Sequence, residues 1–312
     1  MRKAMINKVI FCVSIFVVFF STFGFCQVYD KADSVALSIT NKRYKSIKDL
    51  VTALTRNLET DEDKYRAFYT YITESFTYTY SYIDHKKCLT VKKGSCETIS
   101  NLYKEMCDIS NLKCEKVDGY IRDANRLKGY LVFMRKPTHA WNVIELNNEK
   151  VIVDATWGLS KTVSESLNKV IDRGSLDFFF NPSPDLFSLT HYAKNKRWLL
   201  TKKTKLEFIN QLGLFSDFHK LYESFILFPK ELNQREDVIY FSLRNDLTPN
   251  NFKISYNDDK KNIYPLQVLH KDSLNFTLSF DISEINRNEY FDLLYYNEEK
   301  ESLRALLRYR KK

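Results

Sequence analysis

The 312-residue sequence has no internal repeat, no low-complexity tract and no nucleic-acid-binding motif, and outside residues 9–20 it has no sustained apolar run. These absences exclude a repeat solenoid and a membrane span beyond the first segment. Metal-ligand spacing is also scarce. His85 and Cys88 make a His-x-x-Cys pair, but no second pair follows at a useful interval, so no metal and no cofactor are expected. Glycine is rare, at seven residues, and five of these (Gly94, Gly119, Gly129, Gly158 and Gly174) fall between 94 and 174, where shaped turns need a permissive backbone. What the chain does have is apolar mass. It is 44% hydrophobic and 15% aromatic with 28% charged residues, enough for a buried core and for one to three domains, and unlike a disordered chain.

The first segment places Arg2, Lys3 and Lys8 ahead of the apolar run, then small residues at Gly24 and Cys26 before Gln27. That is the pattern of a secretory signal peptide over 1–26, which predicts export to the periplasm or the outside. The run is short of the ~20 residues a span needs, so no stable membrane span is expected once the leader is removed. Lipid anchoring through Cys26 is the alternative, and Phe25 fits that signal poorly. The net charge of +9 falls to +6 without the three leader cations. The basic residues read as scattered, apart from 308–312, which reads as a solvated end; nucleic acid is not expected as a partner. Four cysteines remain in the mature chain: Cys88, Cys96, Cys107 and Cys114. Cys107 and Cys114 are the nearest pair, but Cys107 continues an apolar helix face, which favours a buried thiol over a bridge.

Three short motifs carry the chemistry. Gly94-Ser95-Cys96 precedes apolar residues at Ile99, Leu102, Tyr103, Met106 and Cys107, which is helix spacing, with Ser95 as its cap. Cys96 then sits in the first turn, where unpaired amides and the macrodipole favour a thiolate. His139-Ala140-Trp141-Asn142 opens a strand, Asn147-Asn148 supplies a turn, and the returning strand closes on Asp154-Ala155-Thr156-Trp157. With a two-residue loop, Asp154 falls opposite Trp141 and diagonal to His139, about 7–8 Å away along the backbone and within side-chain reach. Read singly, each residue has a structural explanation: a buried cysteine, a satisfied strand histidine, a capping aspartate. Together they supply a nucleophile, a base and a group that orients the base. Trp141, Trp157 and Tyr78 are candidates for the walls of a substrate cleft, although aromatics on strands usually pack core. His191 reads as structural, because no carboxylate partner for it is visible in the sequence.

These motifs resemble the transglutaminase-like superfamily of cysteine enzymes, whose active-site plan is related to that of papain-like proteases. The resemblance extends to the aromatic helix and strand at 68–78. It continues through Phe178-Phe179-Phe180-Asn181-Pro182, His191 and Arg197-Trp198-Leu199-Leu200, as in the branch that includes kyphoscoliosis peptidase. It implies that Cys96 is the nucleophile, His139 the general base and acid, and Asp154 the orienter. One departure is Thr98-Ile99-Ser100, where the family often has Gly-Tyr-Ala after the glutamate. The tryptophan that assists the oxyanion in true transglutaminases has no counterpart in 91–95, so hydrolysis fits better than crosslinking.

Further on, 205–229 reads as a connector, after which alternating runs at 238–243, 252–256, 274–280 and 290–296 predict a small β-sandwich over 230–312. The expected architecture is α+β. A transglutaminase-like core over 27–204, with N-terminal helices packed on an antiparallel sheet, precedes that sandwich. The expected function is an exported cysteine enzyme acting on peptide or protein amide bonds through a thioester, with a protein or peptide as substrate. A catalytically idle protein- or glycan-binding module on the same fold is the alternative. If the enzyme reading holds, Cys96 titrates below the ordinary thiol value of about 8.5.

Overall fold

The computed structural model describes residues 29–122, 124, 136–164, 169–172, 177–230, 232, 237–256, 263–286, 289–298 and 301–311. The leader segment 1–26, the strand expected at 130–134, Gly129 and Gly174 lie outside the described residues.

Three helices open the described chain: α1 (Asp30–Ser38), α2 (Ile47–Thr55) and α3 (Asp61–Ser75). Ser46 and Thr60 cap α2 and α3 by accepting the backbone amides of Asp49 and Asp63, each at 3.1 Å. Buried residues on α3 include Tyr65, Phe68, Tyr69, Tyr71 and Ile72, so this helix is covered nearly all round. Its one buried cation, Arg66, forms a bidentate pair with Asp33 (2.7 and 2.8 Å) and reaches Asp177 at 2.7 Å, fastening α1 and the 177–180 segment to it. Two short strands, β1 (Thr77–Tyr78) and β2 (Lys93–Gly94), pair in parallel and lead into α4 (Cys96–Ile109).

The sheet beneath α4 contains β3 (Cys114–Ile121), β4 (His139–Leu146), β5 (Glu149–Val153) and, after β6 (Lys161–Ser164) and β7 (Lys169–Asp172) in the small sheet of β1 and β2, β8 (His191–Ala193). Its order is β5-β4-β3-β8 and every pair is antiparallel. Period-2 alternation decides which residues meet α4. Lys116 pairs with Glu97 of α4, and Asn142 donates to the Ser100 carbonyl at 3.1 Å, so the face carrying Lys116, Asp118 and Tyr120 is the α4 face.

A second core forms between two further sheets. β10 (Phe225–Leu227), β11 (Val238–Arg244), β15 (Asn275–Asp281) and β14 (Gln267–Lys271) make one. The other has the order β13 (Ile263–Pro265), β12 (Phe252–Tyr256), β16 (Tyr290–Asn297), β17 (Ser302–Arg310) and β9 (Gly213–Leu214). Ile239, Phe241 and Leu243 alternate inward from β11 against Phe252, Ile254, Phe291 and Leu293. The segment 205–229 contributes β9 and β10 to these sheets as well as the short helices α7 (Lys205–Asn210) and α8 (Phe218–Leu221), which follow α5 (Ala155–Gly158) and α6 (Pro184–Phe187). The reading of 308–312 as a solvated end is corrected: Arg308 is held bidentately by Asp292 (2.7 Å each), and Tyr309 is buried and donates to the Pro229 carbonyl at 2.9 Å. Leu307 and Tyr309 are buried two apart, with Leu306 also buried at a register shift, which makes this a core strand with Arg304 and Arg310 exposed.

Candidate active site

Cys96 begins α4, and Ser95 caps it, its Oγ accepting the Thr98 amide at 3.5 Å. A Cβ at Gly94 would lie 2.9 Å from the Thr98 side chain, so the residue two before the cysteine has to be small. Thr98 is buried; its hydroxyl donates to the Ile83 carbonyl at 2.6 Å and accepts the Ile83 amide at 3.3 Å. A glycine there could not tie the 79–87 loop to the first turn. That is what the departure from the Gly-Tyr-Ala pattern accomplishes.

The β4–β5 hairpin turns at Asn147 and Asn148, whose φ values of 53° and 64° define the type I′ turn that suits a two-residue loop. Pairing runs from Leu146 with Glu149 to Asn142 with Val153, so the next residue, Asp154, falls opposite Trp141 as expected. The returning strand was expected to run to Trp157, and this is corrected: it ends at Val153, four residues early, because Asp154 caps α5, its Oδ1 accepting the amides of Thr156 and Trp157 at 3.0 Å each. The other oxygen, Oδ2, lies 2.6 Å from His139 Nε2. With Nε2 occupied, Nδ1 is the imidazole nitrogen left to hydrogen-bond the Cys96 thiol, and the Ala140 amide also points at that sulfur.

The electrostatics follow from this geometry. Burial pushes the Asp154 carboxyl up, but the charge and hydrogen bond of His139, then of His191, pull it well below the usual carboxylate range. Burial pushes His139 down, while the charge and hydrogen bond of Asp154, then Cys96, carry it up to about 9. Burial also pushes the Cys96 thiol up, and the hydrogen bond and charge of His139 with the Ala140 amide bring it below its ordinary value. A thiolate facing an imidazolium is the state this arrangement stabilises.

His191 was expected to lack a carboxylate partner, and this is corrected. Its Nε2 lies 3.1 Å from the same Asp154 Oδ2, and its Nδ1 2.8 Å from the Thr190 hydroxyl. The partner is 37 residues away and is brought close only by the β3–β8 pairing, which sets Ile121 against His191. Burial pushes His191 down to about 4, so it is neutral at pH 7. The tautomer that satisfies both contacts carries its proton on Nε2, donating to Asp154, while Nδ1 accepts from Thr190.

Trp141 is buried, its ring 5.6 Å from Phe187 and 6.1 Å from His139. Gly119, paired with His139, would place a Cβ 2.3 Å from this indole, so the ring occupies the space a side chain would fill. Trp157 is half-buried, 4.6 Å from His191 and 6.0 Å from His139. Both rings therefore flank the imidazoles. Tyr78 pairs with Gly94 and stacks edge-on against Tyr80 at 5.1 Å, close in sequence register to Cys96. His219, which sequence reading passed over, is buried against Phe178 (4.7 Å) and Trp157 (6.0 Å), and burial pushes it down to about 3. No local motif marks it; only the packing of α8 on the first core brings it near.

Two groupings bear on metal binding. His139, Asp154 and His191 place ligand atoms within 4.8 Å of one another, but those atoms already engage each other, and the second Asp154 oxygen is taken by two amides. His85 pairs instead with Glu105 at 2.8 Å, and the Cys88 thiol lies 2.9 Å from the His85 carbonyl. Cys88, Cys107 and Cys114 are buried free thiols.

Residues 48–155 match the model of the transglutaminase-like superfamily. The chain carries a transglutaminase-like domain. It is 27% identical over 205 residues to kyphoscoliosis peptidase of Homo sapiens, a match covering 62% of this chain and 30% of that protein. Hillarin of Drosophila melanogaster is 24% identical over 199 residues, covering 58% of this chain and 24% of its own. The chain thus spans less than a third of either relative. A crystal structure of a TGase overlaps 44% of this chain and 35% of its own, at 14% identity and a TM-score of 0.26. The matched segment takes in Cys96, His139 and Asp154, and the fold of this domain is α+β.

Proposed function

We propose that this protein is an exported cysteine hydrolase that opens peptide or protein amide bonds through a thioester on Cys96. In this reading the thiolate attacks the carbonyl carbon, forming a C–S bond. His139 gives its Nδ1 proton to the amine as the C–N bond breaks, then takes a proton from water as hydroxide displaces the sulfur. Asp154 keeps Nε2 protonated and the ring oriented, and holds the imidazolium. The amide of Cys96 is an oxyanion candidate, because first-turn amides have no acceptor within their own helix.

The observation that carries this reading is the hydrogen-bonded series Cys96, His139, Asp154, with the thiol lowered and the imidazole raised. Hydrolysis is preferred over amine transfer because residues 91–95 lack the transglutaminase tryptophan, and because a relative is named a peptidase. The leader pattern of residues 1–26 supports export. The test is to incubate the purified protein with a mixed peptide library, with and without a primary amine, and read products and the Cys96 adduct by mass spectrometry. Hydrolysed peptides and an acyl adduct absent from Cys96→Ala are expected; amine-linked products in place of acids would make it a transferase, and no adduct would make it an idle binding module.

A further inference from the structure

Five of the basic residues that read as scattered converge in one place. Lys194, Lys196, Lys202, Lys203 and Lys205 line a single open pocket of about 560 Å³ floored by Tyr120, and no carboxylate lines it. Some lysines outside it, Lys64, Lys104, Lys113 and Lys116 among them, have a carboxylate within 4 Å. Among the described residues none of the five pocket lysines has such a partner. Lys203 is half-buried, bonded to the Ser188 carbonyl at 3.3 Å and to Gln211. Burial and the charge of Lys230 hold it at about 8, against Asp185 and Glu207, which act the other way. Five like charges gathered around one concavity repel one another and focus a positive potential that an anion would relieve.

The sheet places this pocket beside the candidate active site. Tyr120 lies on the α4 face of β3, the face along which Lys116 meets Glu97, the neighbour of Cys96. Gly119 pairs with His139 on one side and Ala193 on the other. Lys194 is therefore two strand spacings and one residue from His139, about 10 Å between backbones.

The geometry points to a subsite for an acidic stretch of the polypeptide substrate, with its Asp or Glu side chains on residues flanking the bond that Cys96 attacks. A water takes about 30 Å³, so the pocket has room for far more than one inorganic anion, and separated ammonium groups, with that of Lys205 held 5.7 Å over the Tyr120 ring, suit several carboxylates spaced along a chain. This assignment rests on the reading of the protein as acting on polypeptides.

Binding can be read without turnover. A fluorescein-labelled hexaglutamate peptide is titrated into the Cys96→Ala protein at low salt, with hexaglutamine as control, and followed by anisotropy. Hexaglutamate is expected to bind, hexaglutamine not, and the combined Lys194→Gln, Lys202→Gln, Lys205→Gln variant is expected to weaken binding about tenfold or more, since each exposed charge contributes a modest share. These side chains are exposed, so an unchanged melting curve is expected for the variant. Equal binding by the variant or by hexaglutamine would overturn the proposal. So would competition by inorganic pyrophosphate at concentrations equal to the peptide's, or tighter binding of a single-stranded oligonucleotide. Failure here leaves the Cys96 reading standing, because that is tested by adduct formation, and failure of adduct formation leaves the anisotropy result interpretable on its own.

Discussion

The two cores of this chain each bury a carboxylate, and they do so differently. In the sandwich, Asp292 faces Arg308 in a two-pronged pair with both oxygens at 2.7 Å, a permanent cation on an adjacent strand. In the first core Asp154 has no permanent cation among the described residues; it accepts from two imidazoles and two backbone amides. An Arg–carboxylate pair is neutral at every pH the protein meets and serves as a strut. A carboxylate whose partners are imidazoles stays ionised while the histidine beside it gains and loses a proton, which is what proton transfer requires. The difference teaches that burial of a charge does not mark function; the lability of its partner does.

That contrast can be broken from either side. The largest expected effect on activity is Cys96→Ala, which should reduce turnover and adduct formation to background in a peptide-hydrolysis assay. His139→Ala should cost about 10²–10⁴-fold in kcat/KM, the usual share of a positioned acid–base group. Asp154→Asn and Asp292→Asn form the direct comparison. The first should lower kcat/KM by at least about 10²-fold, while the second should leave it within about twofold and cost about 3 kcal/mol of stability in denaturant titration. Equal behaviour of the two would remove the distinction.

Smaller effects sharpen it. Gly119→Ala sets a Cβ against the Trp141 indole and should destabilise by about 1–3 kcal/mol, seen as a lower melting temperature. His191→Phe keeps the stack on Phe187, whose ring is 3.9 Å away, but removes the bond to Asp154; kcat/KM should fall about tenfold and the alkylation pH profile of Cys96 should move upward. His191 is in that sense a positioning residue.

The same neighbours set the acid limb of stability. His191 and His219, at about 4 and about 3, lie below the ~6.5 of an unfolded histidine, so the unfolded chain binds protons that the native one refuses. Their contribution should be full above about pH 6.5 and fall steadily toward pH 4, with Asp154 adding its loss below that. On the alkaline side, His139 loses its contribution as pH rises through about 9, while the lowered Cys96 gains one toward about 8.5, and the opposite slopes offset. Melting temperatures across pH 4–8 check this, and a flat acid limb would contradict it.

Local pattern carried the helix at Cys96, whose apolar spacing names its buried apolar residues but not the buried Thr98 and Ser100, and the hairpin, whose Asn-Asn turn sets the Asp154 register. Four sandwich strands were legible from alternation to within a residue at their ends. What stayed hidden depends on distant pairing. His191 meets Asp154 only through the β3–β8 ladder, His219 arrives with α8, and five lysines spread over 194–205 share a pocket because the chain folds back on β3. Arg308 and Arg310 read as tail because charge masked the period-2 burial of β17.

The central claim is that Cys96 and His139 form a thiolate–imidazolium pair. The most direct measurement is the rate of iodoacetamide alkylation at Cys96 from pH 4 to 10, in the purified protein and in His139→Ala. Rapid labelling that persists well below pH 8.5 and shifts to an ordinary thiol profile in the variant is the predicted result; one thiol-like profile for both proteins would contradict it.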